Sequence, residues 1–192
     1  APTEIYTLSL HDALPIYEIA RILTSTVDIN QLFHFAAEVK QLVVFDRIGI
    51  GIIDQSNGTY SMNYTAGLEV TGAPAEAILS LDGSLTEHLI QTHKTHIRSN
   101  MSDSDQYGSI DERRVDAGIR SAIAVPLISS GRVVAALSLV SLEIDAYGPR
   151  EQRIMERLVS QIAPAIENAQ LYEQTKLAGE ATRVSEEKYR TL

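Results

Sequence analysis

Three of the five histidines, His88, His93 and His96, crowd into one stretch, and they are the first residues whose types could do chemistry. A helix-borne metal pair needs histidines four apart on one face. His88 and His93 are five apart and turn to different sides, while His34 and His11 lie elsewhere in the chain. No metal site is expected, and these histidines read as surface or helix-end residues. Cysteine is absent, which excludes disulfides, thiolate catalysis and Cys-ligated zinc or iron–sulfur centres, along with thioether attachment of a tetrapyrrole. No Ser-His-Asp spacing, Walker loop or paired catalytic carboxylate is recognisable, so the chain is not expected to be an enzyme. With 16 Lys+Arg against 25 Asp+Glu the net charge is -9, which argues against nucleic acid, because phosphate contacts need a basic patch. No apolar run reaches the roughly 18 residues of a membrane span. A soluble, cytoplasmic domain plus a tail is the expectation for 192 residues.

If binding rather than catalysis is the task, the elements that position polar side chains matter most. The strongest pattern is GIRSAIAVPLISSGRVVAALSLVSLEID, from Gly118 to Asp145. Two runs, Ser121 to Ile128 and Val133 to Leu142, flank Ser129-Ser130-Gly131-Arg132 and read as a β-hairpin. In the second run Val134, Ala136, Ser138 and Val140 alternate with Val133, Ala135, Leu137, Leu139 and Ser141. Both sets are apolar or small, as suits central strands covered on both faces. Pro126 cannot donate to a ladder and marks a bulge or an absent partner strand. A second hairpin is expected from Arg47–Asp54 and Thr59–Thr65, joined through Asn57-Gly58.

Helices surround these strands. One is expected from Tyr17 with Ile19, Ile22 and Leu23 inward. A second opens at an Asp28/Gln31 capping box and ends near Phe45. Residues 66–81 read as loop. Ser84 with Glu87 caps a short helix, HIRSN forms a short strand, and Ser109 with Glu112 opens a further helix that Gly118 closes. A long helix begins at Pro149, kinks at Pro164 and loses its apolar stripe beyond Lys176. Leu158, Ile162, Ala165, Ala169 and Tyr172 give it an a/d-like seam. Such a stripe serves equally to cover a sheet, so dimer seam and sheet cover both stand as readings. The first sixteen residues read as a non-native or disordered tail, since TLSLHDALPI resembles translated adapter sequence.

In this order the residues resemble a GAF domain. The resemblance rests on VFDRIGIGIID, on GIRSAIAVPLISSGRVVAALSLVS and on YGPREQRIMERLVSQIAPAIENAQLYEQ, and it covers about Tyr17 to Thr175. It implies an α+β fold, a five- or six-stranded antiparallel sheet with helices packed on it and a long C-terminal helix. Residues 176–192 would then be a helical linker, with SEEKYRTL resembling the truncated start of a PAS domain.

The resemblance implies a ligand-sensing and dimerising module of a signalling protein, a histidine kinase or cyclic-dinucleotide enzyme. A homodimer, an unidentified small-molecule ligand and a downstream effector domain in the same chain are the partners. The alternative is a structural dimerisation module with no ligand. Bilin attachment and methionine sulfoxide reduction in this family use cysteine, which is missing, and the Asn-Lys-Phe-Asp-Glu signature of cyclic-nucleotide binders has no match. The cofactor is therefore unidentified. A pocket is expected on the sheet face toward the two short helices, with Tyr64, Ser99, Asn100, Arg120, Ser121 and Ser138 as its polar candidates.

Overall fold

The computed structural model describes residues 29–70, 77–103, 107 and 109–190. The tail 1–16, the helix expected from Tyr17 and the Asp28 cap lie outside the described residues. The strands are β1 (Arg47–Asp54), β2 (Thr59–Gly67), β3 (Ile78–Ser80), β4 (His96–Arg98), β5 (Ser121–Ser129) and β6 (Arg132–Ser141). The helices are α1 (Ile29–Leu42), α2 (Leu85–Thr92), α3 (Ser109–Asp116) and α4 (Pro149–Arg190). All six strands join one antiparallel sheet in the order β3-β2-β1-β6-β5-β4.

Both expected hairpins form, for the reasons their turn residues supply. Gly58 at φ 64° lets the β1–β2 turn close, and the Asp54 carboxylate accepts from the Ser56 and Asn57 amides at 3.1 and 3.2 Å. At the β5–β6 turn both Ser130 (φ 51°) and Gly131 (φ 76°) are left-handed, the requirement of a two-residue primed turn. Pro126 sits where the partner is missing: β4 pairs with β5 only as far as Ala124.

Side-chain alternation in β6 breaks at one place. Leu127 pairs with Ala135 and Ile128 with Val133, so Val134 is an extra residue and the strand bulges. Val134 and Ala135 therefore both enter the larger core, while Val133 packs with Ile53, Tyr60 and Leu81 on the other face. Strict alternation had put Val133 with Ala135, and the bulge corrects it.

The larger core fills one face of the sheet. Ile48 and Ile50 of β1, Ile123, Val125 and Leu127 of β5, and Leu137 and Leu139 of β6 meet Val39 of α1 and Met155, Leu158, Ile162 and Ile166 of α4. The α4 residues recur three and four apart, which lines them up along one side of the helix. Gly148 N–H donates to Glu151 Oε2 at 3.0 Å and opens α4 just before Pro149. The helix continues to Arg190, past the expected weakening at Lys176, with Pro164 inside it. α1 ends at Leu42, three residues short of Phe45. Residues 78–80, expected in a loop, form edge strand β3 on β2; three residues are too few to show a period. Among the described residues no helix is long and apolar enough to cross a membrane.

Candidate functional site

The opposite face of the sheet is floored by small residues. Directly paired residues share a face, so the register lays out three rows. Arg47, Val140, Ala122 and Arg98 form the first. Thr65, Gly49, Ser138, Ala124 and His96 form the second. Gly51, Ala136 and Pro126 form the third. Gly and Ala in the middle of three strands leave a shallow shelf, which the chain's own Met62, Leu89, Met101 and Ile119 side chains cover. The Met62 side chain lies over the two glycines: a Cβ on Gly49 would stand 2.6 Å from Met62 Cε, and one on Gly51 3.2 Å from its Sδ.

Two short helices roof this shelf. α2 opens with Ser84, whose Oγ accepts the Glu87 N–H at 3.1 Å, while Glu87 Oε2 accepts from Gly83 N–H at 2.8 Å. The reciprocal arm thus reaches one residue earlier than a capping box places it, because Ser84 N–H already donates to Leu81 O. Leu89 of α2 packs on Ala124 and Ala136. His93 is the left-handed C-cap of α2 and donates its N–H to Leu89 O, so its role is to end the helix. α3 ends in a Schellman turn at Gly118 (φ 86°), with Gly118 N–H to Val115 O and Ile119 N–H to Arg114 O.

Between the two helices lies a cluster of rings and charge. His88 on α2 and His96 on β4 stand 5.1 Å apart, and Tyr107 closes the triangle at 5.7 and 5.5 Å between ring centres. The Arg98 guanidinium sits 5.7 Å from the Tyr107 ring centre, a cation–π distance. Arg98 Nη1 donates to Asp111 Oδ2 of α3 at 2.6 Å, with both side chains buried. The same oxygen accepts the Tyr107 N–H at 2.7 Å, and Arg114 Nη1 stands 3.4 Å from Oδ1. A buried guanidinium this well met is costly to leave unpaired. Among the described residues no group of three or more His, Asp or Glu is placed to hold a metal ion.

The six polar candidates are not gathered in one place. Ser138 is on the shelf floor, its Oγ 3.5 Å from Gly49 O. Arg120 borders the shelf and donates to Val115 O and Ile119 O, closing the α3 turn. Ser121 is buried and donates to Glu143 O at 2.7 Å. Ser99 is exposed and its carbonyl accepts from Asp145 N–H, whereas Asn100 folds its own loop through Ser102 and Asp103. Tyr64 packs against the larger core, on the face away from the shelf. Sequence reasoning passed over Arg98, Tyr107 and Asp111 and set His88 and His96 at the surface. The available signal was small residues at alternate positions in GIGI, SAIAVP and AALS, with an arginine inside the apolar HIR strand.

The helical seam meets a physical limit in the same way. Leu158 and Ile162 are 0% exposed within the chain's own core, so they are not presented to a second chain. The side chains of Ala165, Ala169 and Tyr172 lie outside the described residues. Leu171, five residues beyond Ile166, is 51% exposed.

A groove of about 520 Å³ opens at the hairpin end of the sheet, between Ile53, Tyr60, Val133, Glu167 and Leu171. Its rim carboxylates are engaged by neighbours: Asp54 by Ser56 and Asn57, and Glu167 by Ser129, Ser130 and Arg132. The shelf, where rings and arginines converge, is the stronger site despite the groove's volume.

The model of the family described as GAF domain matches residues 28–167. No curated protein sequence matches this chain significantly. Among solved structures, the GAF domain of an Acinetobacter phosphoenolpyruvate-protein phosphotransferase superposes with a TM-score of 0.69 at 17% identity, covering 87% of this chain and 99% of that one. The GAF domain of a two-component sensor histidine kinase from Bacillus halodurans gives 0.66 at 20%, covering 77% and 99%. Free methionine-R-sulfoxide reductase from Neisseria meningitidis gives 0.66 at 15%, covering 87% and 96%. At such identities the likeness establishes a shared fold and transfers no activity.

Proposed function

Because the chain belongs to the GAF domain family, we propose that it is a non-enzymatic regulatory module of a cytoplasmic signalling protein, a histidine kinase or cyclic-dinucleotide enzyme. It senses a small molecule on the shelf and passes the result through α4 to an effector domain in the same chain. The observation that carries this reading is the small-residue floor under α2 and α3. A sheet built only for packing has large residues at its centre, as the other face of this same sheet does. The absence of cysteine removes the thiol chemistry on which a reductase of this fold would depend.

The second reading, a structural dimerisation module without a ligand, is favoured by Met62, which covers Gly49 and Gly51 with the chain's own side chain. A thermal-shift screen of neutral and charged metabolites separates the two. Sensing predicts at least one compound that raises the melting temperature of the parent, and no response from Ala124→Phe, whose ring fills the shelf. A screen in which nothing responds, repeated with Met62→Ala to open the floor, leaves the structural reading standing.

A further inference from the structure

We propose that the shelf takes a small anion bearing a carboxylate or phosphate group, and that the Asp111 side chain is the internal carboxylate such a ligand displaces. This rests on the ligand-sensing reading and names the ligand class for that site.

Charge is the first support. The protein is acidic overall, at -9, yet the first row of the shelf begins with Arg47 and ends with Arg98. Those two lie three strand spacings apart, about 14 Å. Arg114 of α3 contacts Asp111, and its charge acts on Arg47, whose Nη1 donates to Leu68 O at 2.6 Å. Burial first, and then the Arg114 charge, lower the pKa of Arg47 from its ordinary value, with Glu69 opposing. One end of the row is thus a cation beside a cation.

The contacts of Asp111 are the second support. A guanidinium at 2.6 Å and a backbone N–H at 2.7 Å on one carboxylate oxygen, with a second guanidinium at 3.4 Å from the other, is the donor set of an anion site. A ligand carboxylate or phosphate can make the same contacts. Exchange of one anion for another keeps the buried Arg98 paired, so the cost of a stranded charge is avoided on either side of the equilibrium. The organic part of the ligand would lie against the Tyr107, His88 and His96 rings.

What holds α3 is the third support. The helix has eight residues, SIDERRVD, too few to be stable alone. Ile110 and Val115 are its apolar side chains, both only partly buried, and Asp111 is its fully buried one. A ligand that takes the place of Asp111 therefore loosens α3. The site reports its own occupancy.

The test uses calorimetry and amide exchange on the full chain with sodium phosphate and sodium succinate, against sodium chloride at matched ionic strength and pH. Saturable binding of at least one of the two is expected, with faster exchange over residues 109–118. Arg98→Gln should abolish it. Asp111→Asn, which neutralises the internal competitor, should bind at least tenfold tighter. If Asp111→Asn does not fold, Arg114→Gln in the parent should weaken binding at least fivefold. A response to phosphate alone or to succinate alone identifies the group. The proposal is overturned if neither anion binds, if Ala124→Phe leaves anion affinity unchanged, or if Asp111→Asn binds no tighter than the parent. Neutral compounds that bind the shelf while both anions fail would overturn the anion assignment and leave the sensory reading intact.

Discussion

Ser129 Oγ, at the end of β5, donates to Glu167 Oε2 of α4 at 2.6 Å. Ser130 Oγ and Arg132 Nη2 converge on the same carboxylate at 3.1 Å each. Glu167 follows Ile166, the last α4 side chain of the larger core among the described residues. Beyond it the helix runs on to Arg190, roughly 36 Å at 1.5 Å per residue. The β5–β6 turn is therefore fastened to α4 near the end of its contact with the sheet, three residues before Gln170 Nε2 donates to Val134 O at 3.2 Å.

That fastening carries a pH dependence. The Ser129 hydrogen bond, above all, lowers the Glu167 pKa, with Ser130 and Arg132 adding to it. A carboxyl whose folded pKa is depressed contributes stability above its ordinary range and loses it as pH falls through the folded value. Glu167→Gln should be less stable than the parent near neutrality, and the gap should close on acidification. Urea melts at a series of pH values check this; a gap that stays constant down to the acid limb would contradict it.

Ser84 Oγ is the cap acceptor for the Glu87 N–H, and Ser84→Ala should cost about 1 kcal/mol. Exchange of the α2 amides should accelerate more than that of β6. Uniform acceleration would mean that the cap and the sheet unfold as one unit.

Leu137 is 0% exposed between β1 and β5 in the larger core. Leu137→Ala should cost about 2 to 5 kcal/mol by lost transfer energy and the cavity left behind. Denaturant melts that show less than about 0.5 kcal/mol would be incompatible with a central strand.

A dimer seam along α4 would not use Leu158 and Ile162, which are buried at home. Among the described side chains of α4, Leu171 is the large apolar one that is exposed. Leu171→Glu should shift sedimentation from dimer to monomer without lowering the melting temperature of the domain. A parent that stays monomeric at high micromolar concentration would sink the α4 seam.

Much of the fold was legible because it is written in local terms. Asn57-Gly58 and Ser130-Gly131 supply left-handed backbone, and the flanking runs supply strands, so both hairpins could be read from neighbouring residues alone. The Ser84 cap, the Gly118 stop and the Pro149 start are likewise short-range chemistry. Strand β3 was not legible, because Ile78–Ser80 is a strand only by virtue of β2 beside it.

The sequence by itself determined two antiparallel hairpins of apolar and small residues, in a chain free of thiol chemistry. Only the tertiary structure decided which polar groups meet. Arg98 and Asp111 are thirteen positions apart, in a three-residue strand and a polar eight-residue helix, and no period in the sequence links them. Register carried His96 beside Ala124, and helix packing brought His88 and Tyr107 against it. The same tertiary packing took Leu158 and Ile162 from a possible interface into the core. An amphipathic stripe states that a face will be covered, and only the folded chain supplies the surface that covers it.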